Sequence, residues 1–202
     1  YPHTTIIMNV QEATTRRLPD LKERHLPENC RETINTILKE TYGYEQFRNL
    51  EIYDDLSKGK EKLCISQGQL IENVILEAEK AWKGETQVDN ILLTAPTGSG
   101  KSLLFQLPAI YLGKEYNLLT IVVSPLKALI VDQVESLQEL GYMRVAYASS
   151  DLSPEQKMEV YRQVREGEID LFYLSPELLL SYDIKHFVGE RRIGLVVVDE
   201  AH

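Results

Sequence analysis

The chain of 202 residues is poor in sulfur, with two cysteines and three methionines, and it has a single tryptophan. Cys30 and Cys64 cannot build a disulfide scaffold and lack the paired spacing of a zinc site. A reducing, cytoplasmic compartment is the expectation. No stretch approaches the ~18 consecutive apolar residues of a membrane helix. No charged-then-apolar leader opens the chain, so secretion is not expected. The first residue is Tyr1 rather than Met, and the natural N-terminus is expected upstream. Positive charge is scarce as well: 22 Lys and Arg face 31 Asp and Glu, for a formal net charge of −9. That balance argues against coating nucleic acid by bulk charge. It leaves room for local strand binding through backbone amides and a few side chains. An apolar content of 43% excludes disorder as the main state.

Residues 1–35 are mixed in pattern and broken by Pro2, Pro19 and Pro27, and read as an extension of unknown role. Over ETINTILKETY, Ile34, Ile37, Leu38 and Tyr42 recur at helical spacing, and Gly43 is the stop. Residues 48–66, with DDLSKGKEK, read as a charged surface excursion. A second helix is expected over Leu70–Trp82. Residues 36–89 therefore form a helical region with an insertion, and the N-terminal segment as a whole is expected to be mainly helical. From residue 90 to 202 the pattern becomes regular. Five β-rich runs appear: ILLTA (91–95), TIVVS (120–124), RVAYAS (144–149), DLFYLS (170–175) and LVVVDE (195–200). Helix-length segments separate the first four, and a shorter mixed segment links the last two. Near-continuous apolar strands alternating with helices predict an α/β domain whose parallel sheet is covered on both faces.

The strongest chemical signal is APTGSGKS, Ala95 to Ser102, placed between an apolar strand and the helix SLLFQLPAIYL. This is the setting of a P-loop. Gly98 and Gly100 allow the tight turn that aims the N–H groups of Thr97, Gly98, Ser99 and Gly100 at a phosphate. The helix N-terminus adds partial positive charge. Lys101 reaches the β- and γ-phosphates, and the Ser102 hydroxyl holds magnesium. ATP with Mg2+ is the implied cofactor. Ala95 stands where the general pattern has glycine. The second signal is LVVVDEAH, which delivers Asp199 and Glu200 to the carboxyl end of a buried strand, where ligands bind in open α/β sheets. Asp199 would complete the magnesium shell, and Glu200 would orient and deprotonate the attacking water.

APTGSGKS and DEAH resemble motifs I and II of superfamily 2 helicases. Across roughly residues 36–202 the likeness sharpens to the RecQ branch. LKETYGYEQFR (38–48) is similar to the start of its Q-motif-like region, and SLLFQLPA (102–109) to the helix after its P-loop. IVVSPLKALIVDQVESLQELG (121–141) resembles motif Ia and its helix, and REGEIDLFYLSPELLL (165–180) the run before the DEAH strand. In RecQ proteins the aromatic-Arg segment runs quickly into a Gln that reads adenine, whereas here Phe47-Arg48 meets the charged insertion. Gln69 is the adenine-reading candidate and Gln67 the alternative. Tyr42 and Tyr44 either stack near the adenine or belong to the core. The loops holding Ser124, Lys127 and Ser175 occupy the places where the superfamily touches a nucleic-acid backbone. The alternative is a pair of ordinary Ser-Pro helix starts. His202 belongs to the DEAH signature; His3, His25 and His186 have no partner pattern.

The resemblance implies an ATP-dependent helicase or translocase, most simply a 3′–5′ DNA helicase acting on single-stranded or partly duplex substrate. An RNA-directed motor and a nucleotide-dependent scaffold are the alternatives. It also implies parts beyond His202: motif III and a second RecA-like domain bearing arginine fingers. In the family's sheet the strand after motif II lies between the P-loop strand and the DEAH strand. With that slot vacant, residues 1–202 alone are expected to be loosely packed and inactive.

Overall fold

The computed structural model describes residues 5–8 (backbone), 27–53, 62–86, 88–93 and 98–199. Five strands fall on the five apolar runs: β4 (Ile91–Leu93), β5 (Leu119–Val123), β6 (Val145–Ala148), β7 (Leu171–Leu174) and β8 (Ile193–Val198). A further strand, β1 (Thr5–Met8), comes from the N-terminal segment that shows no periodic pattern. The six pair in parallel, in the order β4-β1-β8-β5-β7-β6. Ile6 is opposite both Ile91 of β4 and Val197 of β8.

This placement corrects the expected vacant slot. The N-terminal strand occupies the position between the P-loop and DEAH strands, so their inward-facing backbone groups are paired. It also adds a strand to an N-terminal segment expected to be mainly helical as a whole. The charged excursion contains an antiparallel hairpin of β2 (Asn49–Tyr53) and β3 (Lys62–Ser66), whose register sets Asn49 opposite Ser66 and Glu51 opposite Cys64.

Helix α1 (Glu32–Tyr42) buries Ile34, Ile37 and Leu38 and ends where the Gly43 N–H bonds the Lys39 carbonyl at 3.0 Å. Helix α2 (Gln67–Trp82) starts three residues earlier than its apolar spacing predicts, because Ser66 and Gln69 form a capping box. Helix α3 (Leu103–Tyr116) is buried on nearly every side, as expected of a helix wedged between a sheet and other helices. With α4 (Lys127–Glu139) these helices cover one face of the sheet. Their side chains form a core that includes Ile34, Ile71, Leu104, Ile130, Val134 and Tyr173. The opposite face meets α5 (Pro154–Arg165), α6 (Pro176–Ser181) and α7 (Ile184–Val188), over a core that includes Ile121, Tyr161, Phe172 and Phe187. Period-two alternation sends Phe172 and Tyr173 to opposite cores.

Candidate nucleotide-binding site

Strand β4 leads toward the loop, and α3 leaves it. Gly98 and Gly100 take φ of 80° and 79°, a left-handed conformation that glycine adopts without steric cost. Leu103 and Leu104 N–H groups then bond the carbonyls of Gly100 and Lys101, opening the helix. The Ser99 hydroxyl is buried with no partner among the described residues. A buried polar atom without a partner is costly in a finished loop, and a phosphate or its metal would supply one. Lys101 and Ser102 follow in the turn just before α3 and remain half-exposed. Ala95, Thr97, Glu200 and His202 lie outside the described residues.

Asp199 follows the last residue of β8 and is 5% exposed. Its N–H donates to the Val123 carbonyl at 2.9 Å, which fixes the strand end beside β5. The Gln133 Nε2 of α4 donates to its Oδ2 at 3.4 Å. Ser102 and Gln133 line the same cavity of about 200 Å³, which brings the start of α3 and the residue bonded to Asp199 onto one space.

The two candidate glutamines are placed differently. Gln69 is occupied structurally: its Oε1 accepts from the Ser66 N–H at 3.0 Å, and its Nε2 donates to the Pro27 carbonyl at 3.2 Å. It serves as the third residue of a capping box. Gln67, 2% exposed, reaches the P-loop instead, donating to the carbonyl of Ser99 at 3.1 Å and of Gly100 at 3.5 Å. Its Oε1 accepts from the Arg48 N–H at 3.1 Å, and its own N–H donates to the Arg48 carbonyl at 2.9 Å. Phe47-Arg48 and Gln67 are therefore neighbours, with the hairpin looped out between them. A Cβ on Gly100 would stand 2.7 Å from Gln67 Nε2, so this close approach also requires glycine.

Tyr42 is half-buried and donates to Gln106 Oε1 at 3.0 Å; its ring stacks with that of the exposed Tyr44 at 6.4 Å. Burial pushes the Tyr42 phenol well above its ordinary range, so it stays a neutral donor.

The serines of the proposed strand-binding loops are both inside the protein. Ser175 is 1% exposed and its hydroxyl accepts from the Leu178 N–H at 3.4 Å, the ordinary cap of α6. Ser124 is 2% exposed; its N–H donates to the Leu174 carbonyl, and its hydroxyl is buried without a partner among the described residues. The exposed part of that loop is Pro125, Leu126 and Lys127. Lys127 donates to Ser150 Oγ at 2.6 Å and pairs with Asp151 at 2.8 Å. That ammonium holds the Asp151 carboxyl below its usual range.

Residues 69–202 match the model of the DEAD/DEAH box helicases. The chain belongs to that family. Its parallel sheet with a P-loop at the head of a buried helix is the RecA-like fold. It is similar to the ATP-dependent DNA helicase RecQ of Synechocystis sp., 33% identical over 174 residues that make 85% of this chain and 30% of the relative. It is also similar to the ATP-dependent DNA helicase Q-like 5 of Arabidopsis thaliana, 34% identical over 172 residues, 85% of this chain and 15% of the relative. Among solved structures it is similar to the DUF1998 helicase MrfA bound to DNA. There the identity is 21% and the TM-score 0.47, over 81% of this chain and 18% of that one. The chain spans at most 30% of the length of these two curated relatives. Among the described residues, no helix is long and apolar enough to cross a membrane.

Proposed function

We propose that this chain is the ATP-binding first RecA-like domain of a RecQ-type DNA helicase that moves 3′ to 5′ on single-stranded or partly duplex DNA. The observation that carries the reading is the P-loop itself: two left-handed glycines at the head of α3, with Asp199 buried at the carboxyl end of β8. The amides of Thr97 to Gly100 and the Lys101 ammonium would hold the phosphates. Ser102 and Asp199 would hold Mg2+. This donor set fits magnesium, which takes hard oxygens from one or two carboxylates and completes its shell with phosphate and water. When bound, the ion neutralises charge that develops on the transferred phosphoryl group.

Glu200, next to Asp199, is assigned the base that orients and deprotonates water. Gln67 is assigned the adenine end in place of Gln69, because its amide already spans Arg48 and the P-loop carbonyls. The DNA-facing surface is placed at the exposed Pro125–Lys127 turn, since Ser124 and Ser175 are enclosed. A second RecA-like domain would complete the site with an arginine finger, an addition worth ~10³–10⁵ in rate.

The test is steady-state ATP hydrolysis by the intact protein with single-stranded DNA or RNA added. DNA is expected to stimulate more strongly, and Lys101→Ala is expected to abolish turnover by removing the charge on the β- and γ-phosphates. Unchanged hydrolysis in Lys101→Ala would overturn the assignment. Stronger stimulation by RNA would move the substrate class.

A further inference from the structure

A line of hydrogen bonds crosses the domain from α1 to Asp199. The Tyr42 hydroxyl donates to Gln106 Oε1 at 3.0 Å, and Gln106 Nε2 donates to the Tyr173 hydroxyl at 3.1 Å. The Tyr173 hydroxyl donates to Gln133 Oε1 at 2.9 Å, and Gln133 Nε2 donates to Asp199 Oδ2 at 3.4 Å. The direction of every link follows from the inventory of donors. Tyr173 has one proton; it accepts from Gln106, so that proton goes to Gln133. Gln133 must then turn its NH₂ toward the carboxylate. All four donors point the same way and end on a negative charge, the order in which each bond polarises the next. Burial is the main cause that raises the Tyr173 phenol above its ordinary range, and the Asp199 charge adds to it, so the hydroxyl remains protonated.

The participants come from four elements and the residue that follows β8. Gln106 sits one helical turn after Ser102 on α3, and Tyr173 is on β7, 1% exposed. Gln133 is on α4, whose first residue is Lys127, beside the exposed turn at Pro125–Leu126. Tyr42, Gln106 and Gln133 also line the cavity that holds Ser102. None of these amides and hydroxyls is needed for packing alone. An apolar core would omit them, and for the buried Gln106 and Tyr173 the line supplies the partners that burial otherwise denies.

We propose that Gln133 is a positioning residue for Asp199. Held in one orientation by Tyr173, it sets the carboxylate for magnesium and makes magnesium-nucleotide affinity depend on the position of α4. This rests on the reading of Asp199 as a metal ligand. The link from Gln133 to Asp199 is the longest of the four, so a displacement of α4 by a strand docking at its N-terminus alters that link first.

The experiment is equilibrium binding of a fluorescent ATP analogue to the intact protein, titrated with Mg2+ and repeated in EDTA. Gln133→Met keeps length and helix propensity but removes both hydrogen bonds. It is expected to raise the Mg2+ concentration for half-maximal binding about tenfold, within the ~10–100-fold cost of losing a partner behind a metal ligand. Binding in EDTA should stay unchanged. Tyr173→Phe, which frees the Gln133 amide to turn over, should shift the same midpoint in the same direction by a smaller factor. A purely structural role would instead weaken binding equally with and without magnesium, and that outcome overturns the proposal. So does a Gln133→Met midpoint equal to wild type while Asp199→Asn loses its magnesium dependence. If Asp199→Asn keeps that dependence, the metal reading itself fails.

Discussion

Arg31 shows how one residue ties three segments together. Its guanidinium pairs with Glu72 at 2.6 Å and Glu79 at 2.7 Å on α2, and donates to the Tyr111 hydroxyl on α3 at 2.5 Å. The two carboxylates are almost enclosed, at 8% and 10% side-chain exposure, whereas Arg31 keeps 23%. Removing the cation leaves two buried negative charges without their partner. Arg31→Met is therefore expected to destabilise the domain by about 3 kcal/mol, the low end of the cost of breaking a buried pair. Thermal melting at neutral pH checks this. The pH dependence has a definite sign. Burial tends to raise the Glu79 carboxyl, but bonds from Arg31, Tyr116 and Tyr111 outweigh it and hold it below the ordinary value. Its contribution is present above the unfolded carboxylate pKa of ~4.3 and is lost as pH falls through the lowered folded value. In Arg31→Met burial is less strongly opposed, so the melting temperature should fall less on acidification than in the wild type. An equal fall in both proteins would remove Glu79 as the cause. The neighbouring Cys30 thiol is pushed up to about 12, mainly by burial with the Glu72 charge adding to it, so it stays unreactive at neutral pH.

At the scale of elements, the β2–β3 hairpin is an insertion whose two ends are already closed. Backbone and side-chain bonds join Arg48 directly to Gln67 across the base of the hairpin. Leu50 and Ile65 pack near the base, while Glu51 and Cys64 are exposed. Replacing residues 52–63 with Asn-Gly keeps the Glu51–Cys64 pair and supplies a two-residue turn of the right twist. The shortened protein is expected to bind nucleotide as the wild type does. Its melting temperature should stay within about 4 °C, the change that ~1 kcal/mol makes in a chain of this size. Loss of nucleotide binding would show that the outer hairpin contributes to the site.

For the whole molecule, the decisive contact is the strand that is first in sequence and central in space. β1 pairs on both sides, so deleting residues 1–8 would strip β4 and β8 of their shared neighbour and expose two rows of backbone groups. Loss of a central strand exceeds the ~5–15 kcal/mol by which domains are usually stable. Residues 1–202 are expected to melt cooperatively, whereas 9–202 should be insoluble or show no cooperative transition. A sharp, unchanged melt of 9–202 would mean that β1 adds nothing to the sheet.

Patterns confined to a few consecutive residues are legible in the sequence alone. The five apolar runs become β4 to β8 because a strand buried on both faces needs apolar residues throughout. The glycines of APTGSGKS permit the left-handed turn that Gly98 and Gly100 adopt. The hairpin is hidden because the charged residues between its short strands dominate the composition of the segment. β1 is hidden because four residues carry too little periodicity to outweigh their polar surroundings. Gln67 and Gln69 differ by two positions at a helix start, and local sequence gives each the chemistry of a cap or a ligand. Only the return of α2 against the P-loop decides that Gln69 caps and Gln67 reaches Ser99. The same holds for Tyr173 and Gln133, 40 residues apart in sequence and joined only when α4 packs onto the sheet face that carries Tyr173. Contacts of that span depend on the packing of whole elements, which tertiary structure alone supplies.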